Sequence, residues 1–524
     1  MEKIVLKNKQ VIEKISDRNS IKIIFLLILA SLIIRIYFTP FHIPISLDGI
    51  DYFAYAVAMS REGTFPTGYL LTNFGWPSFV SMFFAFNQNA DMLTLMNLQR
   101  ILSIIISTST IIPIFLLAKI FFKKEIAILG STLFLFDPRI IENSILGITD
   151  TLFILLTVLT ILFIFYKKGS WVYLSFIFVA LAAFVRYEGI LLIIPLVISM
   201  ILKNKEKNFS YSKIIIGVLI FLMMIIPLNL VNYQSAEQSS IFTQIIHRGY
   251  FMSETIINNE FHDDEYFGST TENNLEIFVK NAVGGFIKYV GWTLIPTFIV
   301  FCILGVIFIP KTISKNRIIF VMFFVFLSLS SIFAYGRGIQ DTRYILILLP
   351  IFTMVTCYGF NYLLKYDWKK LLPVIVISII VSSIIFIEYR NSDYTYEAEM
   401  YDATLFLVNI ADGVNNYHDN KFVKVADLQN NWPELLPKGE NDKMKLLTKK
   451  FKIEEFDQPL EFIKSNENKG LTHLLIKEGD KEGFFDDIFE NEENYPFLEK
   501  IYDSKDFNKN TEYKIFKINY ERIK

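Results

Sequence analysis

Asp48 stands in Ile45-Ser-Leu-Asp48-Gly-Ile-Asp51-Tyr52-Phe-Ala-Tyr55-Ala56-Val-Ala-Met59, a few residues beyond the first long apolar run. A carboxylate at that height sits at a membrane–water boundary, where keeping a charge is costly. Asp48 and Tyr52 are one helical turn apart, and Ala56 and Met59 continue the same face. The spacing predicts a short helix on the outer membrane surface with an acid at its start. The bland alternative for Asp48 is an N-cap that satisfies the free N–H groups of that helix. A second cluster, Gly336-Arg337-Gly338-Ile-Gln-Asp341-Thr342-Arg343-Tyr344, puts two arginines in a short turn between apolar runs. Guanidinium groups grip phosphate in bidentate fashion, and a lipid phosphate would lie at this height. Pairing with Asp341 and general attraction to anionic lipid are the simpler explanations.

Three more groups carry polar chemistry. Phe136-Asp137-Pro138-Arg139-Ile-Ile-Glu142-Asn-Ser-Ile-Leu-Gly-Ile-Thr149-Asp150 joins two apolar runs with an acid at each end. Asp150 opens the next helix, so an N-cap role competes with a catalytic one, and Arg139 has Glu142 in reach three residues on. Ala183-Phe-Val-Arg186-Tyr187-Glu188-Gly189 makes a tight turn in which Arg186 and Glu188 pair with each other or meet substrate. His247-Arg248 and His262-Asp263-Asp264-Glu265 fall in one long loop. Adjacent loop residues rarely all face one ion, so the second group reads as a solvated acidic stretch. No P-loop, GxGxxG, HExxH or paired CxxC occurs, which argues against nucleotide-driven and zinc chemistry. No intramembrane chain of acids marks a proton relay.

The elements that must position these groups are membrane helices. The chain has 524 residues, is 53% hydrophobic and contains 51 Phe. Apolar runs recur at Ile21–Thr39, Leu93–Phe122, Ile126–Ile141, Leu152–Tyr166, Trp171–Val185, Ile190–Leu202, Ile214–Val231, Tyr289–Ile309, Ile318–Tyr335, Tyr344–Leu364 and Leu371–Ile387. Their lengths suit membrane spans. With the N-terminus inside, the even-numbered runs end at lysine groups such as Lys119/Lys123/Lys124, Lys311/Lys315/Arg317 and Lys365/Lys369/Lys370, so each basic short loop falls on the cytoplasmic side. Gly75–Phe86 is apolar but short; counting it would invert everything after it, so it reads as interfacial or re-entrant. Residues 1–20 are a cytoplasmic segment, 21–389 a polytopic, mostly α membrane domain of about eleven spans, and 390–524 a soluble extracytoplasmic α/β domain.

The net charge of −1 conceals an asymmetry. Residues 390–524 carry 28 acidic and 20 basic side chains, so the membrane part is basic. In that tail Phe422–Asp427, Thr472–Lys477 and Tyr513–Asn519 have strand patterns, and Ala398–Ile410 a helical one. Cys302 and Cys357 fall in apolar runs and imply no disulfide. Neither part suggests nucleic acid.

The clusters, in their order and shared outer location, resemble the GT-C glycosyltransferases, the multi-span class of protein O-mannosyltransferases, aminoarabinose transferases and oligosaccharyltransferases. Asp48, Tyr52, Ala56 and Met59 match a pattern like D-E-x-x-Y-A-x-x-A-x-x-M; Gly49 replaces its Glu, which leaves Asp51 to take the second acid's role. Pro138…Thr149-Asp150 resembles the second acidic motif, Arg186-Tyr187-Glu188-Gly189…Pro195 an R-x-x-x-L-L-x-x-P stretch, and Arg343-Tyr344…Pro350 a late R-Y…P segment. The resemblance covers about the first 400 residues.

It implies transfer of a sugar from a polyprenyl or dolichyl phosphate to a protein, glycan or lipid acceptor on the outer face, with inversion. Asp48 would be the general base. Arg337 and Arg343 would neutralise the departing lipid phosphate. Asp51 or Asp150 would orient the acceptor, or hold a divalent cation in an enzyme of the oligosaccharyltransferase type. Tyr52, Arg139, Arg186, Glu188 and Tyr344 join the substrate-binding candidates. No metal or other cofactor is expected, since relatives using a monophosphate carrier generally need none. The rivals are a lipid-linked polysaccharide ligase or polymerase, and a carrier-lipid flippase. A flippase needs a polar path through the membrane, whereas the charges here gather at one face.

Overall fold

All eleven apolar runs fold as helix in the computed structural model, but several are broken. It describes residues 2–45, 48–66, 71, 73–87, 89–166, 170–204, 211–235, 241–253, 274–312, 314–365, 368–390, 394–408, 410–415, 449–451, 456, 458–479, 484–507 and 509–523. The helices in chain order are α1 (Glu2–Phe38), α2 (Gly49–Glu62), α3 (Gly75–Phe84), α4 (Met92–Ser109), α5 (Ile111–Phe121), α6 (Lys124–Leu135), α7 (Pro138–Ser144), α8 (Asp150–Phe165) and α9 (Val172–Val185). A 3-10 turn, Tyr187–Leu192, leads into α10 (Ile193–Asn204). Then come α11 (Tyr211–Ser235), α12 (Ile241–Tyr250), α13 (Asn274–Leu294), α14 (Phe298–Ile307), α15 (Lys315–Gly336), α16 (Arg343–Leu346), α17 (Leu349–Leu363) and α18 (Trp368–Tyr389).

Among the described residues, Asn19–Phe38, Met92–Phe121, Tyr211–Val231, Lys315–Gly336 and Lys370–Tyr389 are long and apolar enough to cross a membrane. α13 and α14 form a further candidate bent by 108°, while α8 and α9 are apolar but shorter. The breaks have local causes. The run Ile126–Ile141 is cut at Asp137-Pro138: Asp137 accepts from the Ile140 N–H at 3.1 Å and caps α7, and Pro138 takes a first-turn position where no N–H is missed. Pro350 lies in the first turn of α17 and separates it in the same way from the single turn of α16. The short apolar stretch after Gly75 forms α3, ten residues long.

The chain divides into two compact units: residues 1–39, 70–80 and 99–391 in one, and 40–69, 81–98 and 392–524 in the other. Residues 40–69 and 81–98 thus group with the tail. In the second unit α2 ends where Gly63 takes a left-handed conformation and its N–H bonds the Met59 carbonyl. The tail adds α19 (Thr395–Val408), α20 (Pro459–Glu467) and α21 (Phe485–Glu490) to five strands: β1 (Gly413–Asn415), β2 (Lys449–Phe451), β3 (His473–Lys477), β4 (Leu498–Asp503) and β5 (Tyr513–Ile518). The sheet order is β2-β1-β3-β5-β4, with β1 parallel to both neighbours and β5 antiparallel to both of its own. Phe462, Leu474, Ile476, Phe485, Ile488 and Phe516 form its core. The expected strands near 472–477 and 513–519 and the helix near 398–410 are present. Phe422–Asp427 and the acidic stretch His262–Glu265 lie outside the described residues.

Candidate functional site

Asp150 is not a helix cap. The N-cap position belongs to Thr149, and Asp150 occupies the first turn of α8, where the helix dipole favours an anion. Its carboxylate is 4% exposed and is held from two sides. Asn143 Nδ2, on α7, donates to Oδ2 at 3.0 Å. Arg186 Nη1 donates to Oδ1, forming an ion pair. The same guanidinium reaches Glu188 at 3.3 Å, so the pairing expected within the turn is present but shared with Asp150. Its plane also faces the rings of Tyr344 and Phe153 at 5.6 and 5.7 Å.

Two backbone features hold this turn. Tyr187 N–H donates to Asn73 Oδ1 at 3.1 Å. Gly189 lies against α9 so closely that a Cβ there would come within 2.6 Å of the Ala182 carbonyl carbon. Only a residue without a side chain lets the Tyr187–Leu192 turn pack this near. Behind α7, the side chain of Arg35 in α1 is fully buried and donates to Ser144 Oγ and the Leu135 carbonyl, both at 3.1 Å. Arg35 escaped notice in the sequence because it lies inside the first apolar run; an arginine inside a span was the available signal.

Arg343 pairs with Asp341: its Nε donates to Oδ2 at 2.6 Å and its backbone N–H to Oδ1 at 2.9 Å. The Tyr335 hydroxyl donates to the Asp341 carbonyl at 2.9 Å and fixes the turn from below. Gly338 adopts φ 79°, the left-handed conformation that reverses the chain between Arg337 and Asp341. Asp150, Arg186, Arg343 and Tyr344 line one narrow, nearly filled cleft.

Tyr344 and Ser330 also line a larger groove of about 420 Å³, walled mainly by apolar side chains of the 3-10 turn, α12 and α15. Two arginines stand in it. Arg337 lies over Phe251 at 5.3 Å and Phe333 at 5.9 Å, and Arg248 lies over Tyr187 at 5.0 Å and the same Phe333 at 5.1 Å. The Nε of Arg248 is buried and makes no hydrogen bond among the described residues. Burial pushes the Tyr187 phenol up, so it stays a proton donor beside Arg248. Arg248 is a residue the sequence left unassigned; a basic group closing a helix in a long outer loop was a weak sign.

Arg139 is not in either cleft. It is buried, pairs with Glu142 at 3.1 Å and lies under the Phe386 ring at 5.1 Å, an arrangement that joins α7 to α18. Asp48, Asp51 and Tyr52 belong to the second unit. Asp48 occupies the N-cap position of α2, yet its side chain accepts no capping bond from the helix. Asp48 and Asp51 are exposed, while Tyr52 is buried in the unit.

Residues 79–230 match the family described as dolichyl-phosphate-mannose-protein mannosyltransferase. Solved structures share the architecture over most of the chain. The oligosaccharyltransferase of Archaeoglobus fulgidus in its apo form covers 87% of this chain and 69% of its own, at 9% identity and TM-score 0.55. The same organism's oligosaccharyltransferase AglB, in complex with an inhibitory peptide and a dolichol-phosphate, covers 88% and 69% at 9% identity and TM-score 0.55. ArnT from Cupriavidus metallidurans, bound to undecaprenyl phosphate, covers 94% and 97% at 9% identity and TM-score 0.53. The chain shares its fold with these glycosyltransferases. The family matched over residues 79–230 and the three solved structures named above are glycosyltransferases. No protein of curated function matches the sequence. The matched segment contains Arg139, Asp150, Arg186 and Glu188.

Proposed function

We propose that this protein transfers a sugar from a polyprenyl or dolichyl phosphate to an acceptor on the outer face of the membrane, with inversion at the anomeric carbon. One observation carries the reading: an apolar groove holding Arg248 and Arg337 over a common ring meets, at Tyr344, the cleft that contains Arg186, Arg343 and Asp150. An isoprenoid phosphate needs both an apolar wall and cations at the lipid headgroup level, and its departure leaves a phosphate charge to be neutralised. A long apolar wall beside paired guanidiniums supplies both. ArnT and AglB, which were solved with undecaprenyl phosphate and dolichol-phosphate, support the carrier class.

In this reading Arg248 and Arg337 hold the carrier phosphate, with Arg343 adding charge from its turn. Asp150 and Glu188 aim Arg186, so Asp150 acts by positioning a cation rather than as a base. Asp48 is the general base, deprotonating the acceptor as it attacks, and Asp51 helps to orient the acceptor. The reaction needs no metal. The grouping of residues 40–69 with the tail supports placing the tail on the same membrane face as Asp48, outside, with the N-terminus inside.

The test is transfer of radiolabelled sugar from dolichyl- and polyprenyl-phosphate donors to total membrane acceptors by the purified protein. Wild type, Asp48→Asn, Asp51→Asn and Arg337→Ala are compared with and without a chelator. Transfer by wild type but not Asp48→Asn, unaffected by chelation, supports the assignment. Carrier binding without transfer from any donor would sink it in favour of a ligase or flippase.

A further inference from the structure

The lysine-rich end of the membrane unit holds a cavity that the glycosyl-transfer reading does not use. A cavity of about 390 Å³ lies among α5, α15 and α17, lined by Phe121, Phe320, Phe324, Phe352 and Tyr358, with Ser314, Asn316 and Arg317 from the start of α15. Its walls are built by aromatic packing: Phe121 meets Phe320 at 5.6 Å, Phe122 meets Tyr358 at 4.9 Å, and Phe324 meets Phe352 at 5.9 Å. From Asn316 to Phe324 the lining runs about 12 Å along the helix axis. A space walled mainly by apolar side chains and cationic at the start of α15 matches a lipid chain with an anionic headgroup.

The charge agrees. Arg317 is fixed by donation to the Pro310 carbonyl, with Lys311 and Lys315 close by in sequence. Ser314 caps α15 by accepting from the Arg317 N–H at 3.4 Å, which sets the arginine in the first turn beside the cavity. Basic groups at the cytoplasmic end of a span attract the anionic lipids of that leaflet.

We infer that this cavity binds one anionic phospholipid of the inner leaflet, its chain among Phe121, Phe320 and Phe324 and its phosphate on Arg317. The site is separate from the carrier groove, so either assignment can fail without the other.

Native mass spectrometry of the detergent-solubilised full chain tests it, with phosphatidylglycerol, phosphatidylcholine of the same chains, and undecaprenyl phosphate as probes. Arg317→Ala removes the rim charge. Val321→Trp fills the cavity from a residue 59% exposed, so the fold is not at risk. The expected result is one phosphatidylglycerol retained per chain, at least fivefold above phosphatidylcholine, with the preference lost in Arg317→Ala and occupancy lost in Val321→Trp. Equal retention of phosphatidylcholine, preferential retention of undecaprenyl phosphate that Val321→Trp abolishes, or phosphatidylglycerol binding indifferent to both substitutions would each overturn it. Retention of undecaprenyl phosphate that Arg337→Ala abolishes and Val321→Trp spares reports on the carrier groove instead.

Discussion

Arg186 and Asp150, 36 residues apart in the chain, form a largely buried ion pair at the junction of α8, α9 and the 3-10 turn. Asn143 on the carboxylate and Glu188 on the guanidinium complete the network. A buried pair satisfied on both sides fixes geometry more than it adds stability. Here it fixes a cation beside Tyr344.

Breaking the pair from one side should therefore be costly. Asp150→Ala removes one of the two carboxylates that hold Arg186 and is expected to lose about 3 kcal/mol of stability, and Arg186→Ala a similar amount. The double variant should lose less than the sum, because Asp150 is then no longer left buried without Arg186. Denaturation of all four proteins in one detergent measures the cycle; additive losses would refute the coupling.

Substituting the groove arginines should act on donor binding. Arg248→Ala or Arg337→Ala is expected to raise KM for the lipid-phosphate donor about tenfold, equivalent to about 1.4 kcal/mol. Lysine at either position should restore only part, since an ammonium lacks the planar fork. Initial-rate kinetics over a donor series decide it. A fall in kcat at constant KM would place these residues elsewhere in the cycle.

Asp48 gives a cleaner separation of chemistry from folding. It is exposed, and asparagine keeps its size and polarity, so Asp48→Asn should leave the Tm within about 1 °C of wild type. As the base it should cost roughly 10²- to 10⁴-fold in kcat. If activity survived, Asp51→Asn would be the next variant, because Asp51 lies one helical turn on from the cap position.

Gly189→Ala tests the packing of the 3-10 turn. The new methyl would meet the α9 backbone, which cannot give way as a flexible side chain can. A loss of about 1–3 kcal/mol is expected, with reduced activity as Arg186 shifts. Unchanged stability and activity would show that the close approach is not needed.

Acid should loosen the tail. Burial alone would raise the Glu399 carboxyl, but the N–H groups of Asn510 and Thr511, each at 2.8 Å, outweigh it and hold the group below its ordinary 4.5. Burial, helped by the charge of Lys517, lowers His473 below 6.5. In both cases the folded state binds the proton more weakly than the unfolded one. Each contribution is therefore complete above the ordinary value and is lost as pH falls through the lowered one: His473's begins to go below 6.5, Glu399's below 4.5. Hydrogen-exchange opening energies for Leu498–Asp503 and Tyr513–Ile518 in the full chain should decline in those two steps, and Glu399→Gln should remove the second.

The sequence by itself determined the membrane class, helix at each long apolar run, the α/β tail and the list of acids and arginines at span ends; α12 and the first part of α13 fold in what the sequence presents as a loop. What it determined follows from run length, lysine placement and strand or helix period, which are local properties. It also indicated the Arg139–Glu142 and Arg186–Glu188 contacts, since pairs two or three residues apart leave little freedom. What the tertiary structure decided was partnership across the chain. Arg186 divides itself between Glu188 and Asp150, Arg248 shares Phe333 with Arg337, Arg35 braces α7 from inside a span, and Arg139 is packed away under Phe386. No periodicity encodes such contacts, because they depend on which helices pack together and on breaks, such as those at Pro138 and Gly189, that turn side chains toward one another.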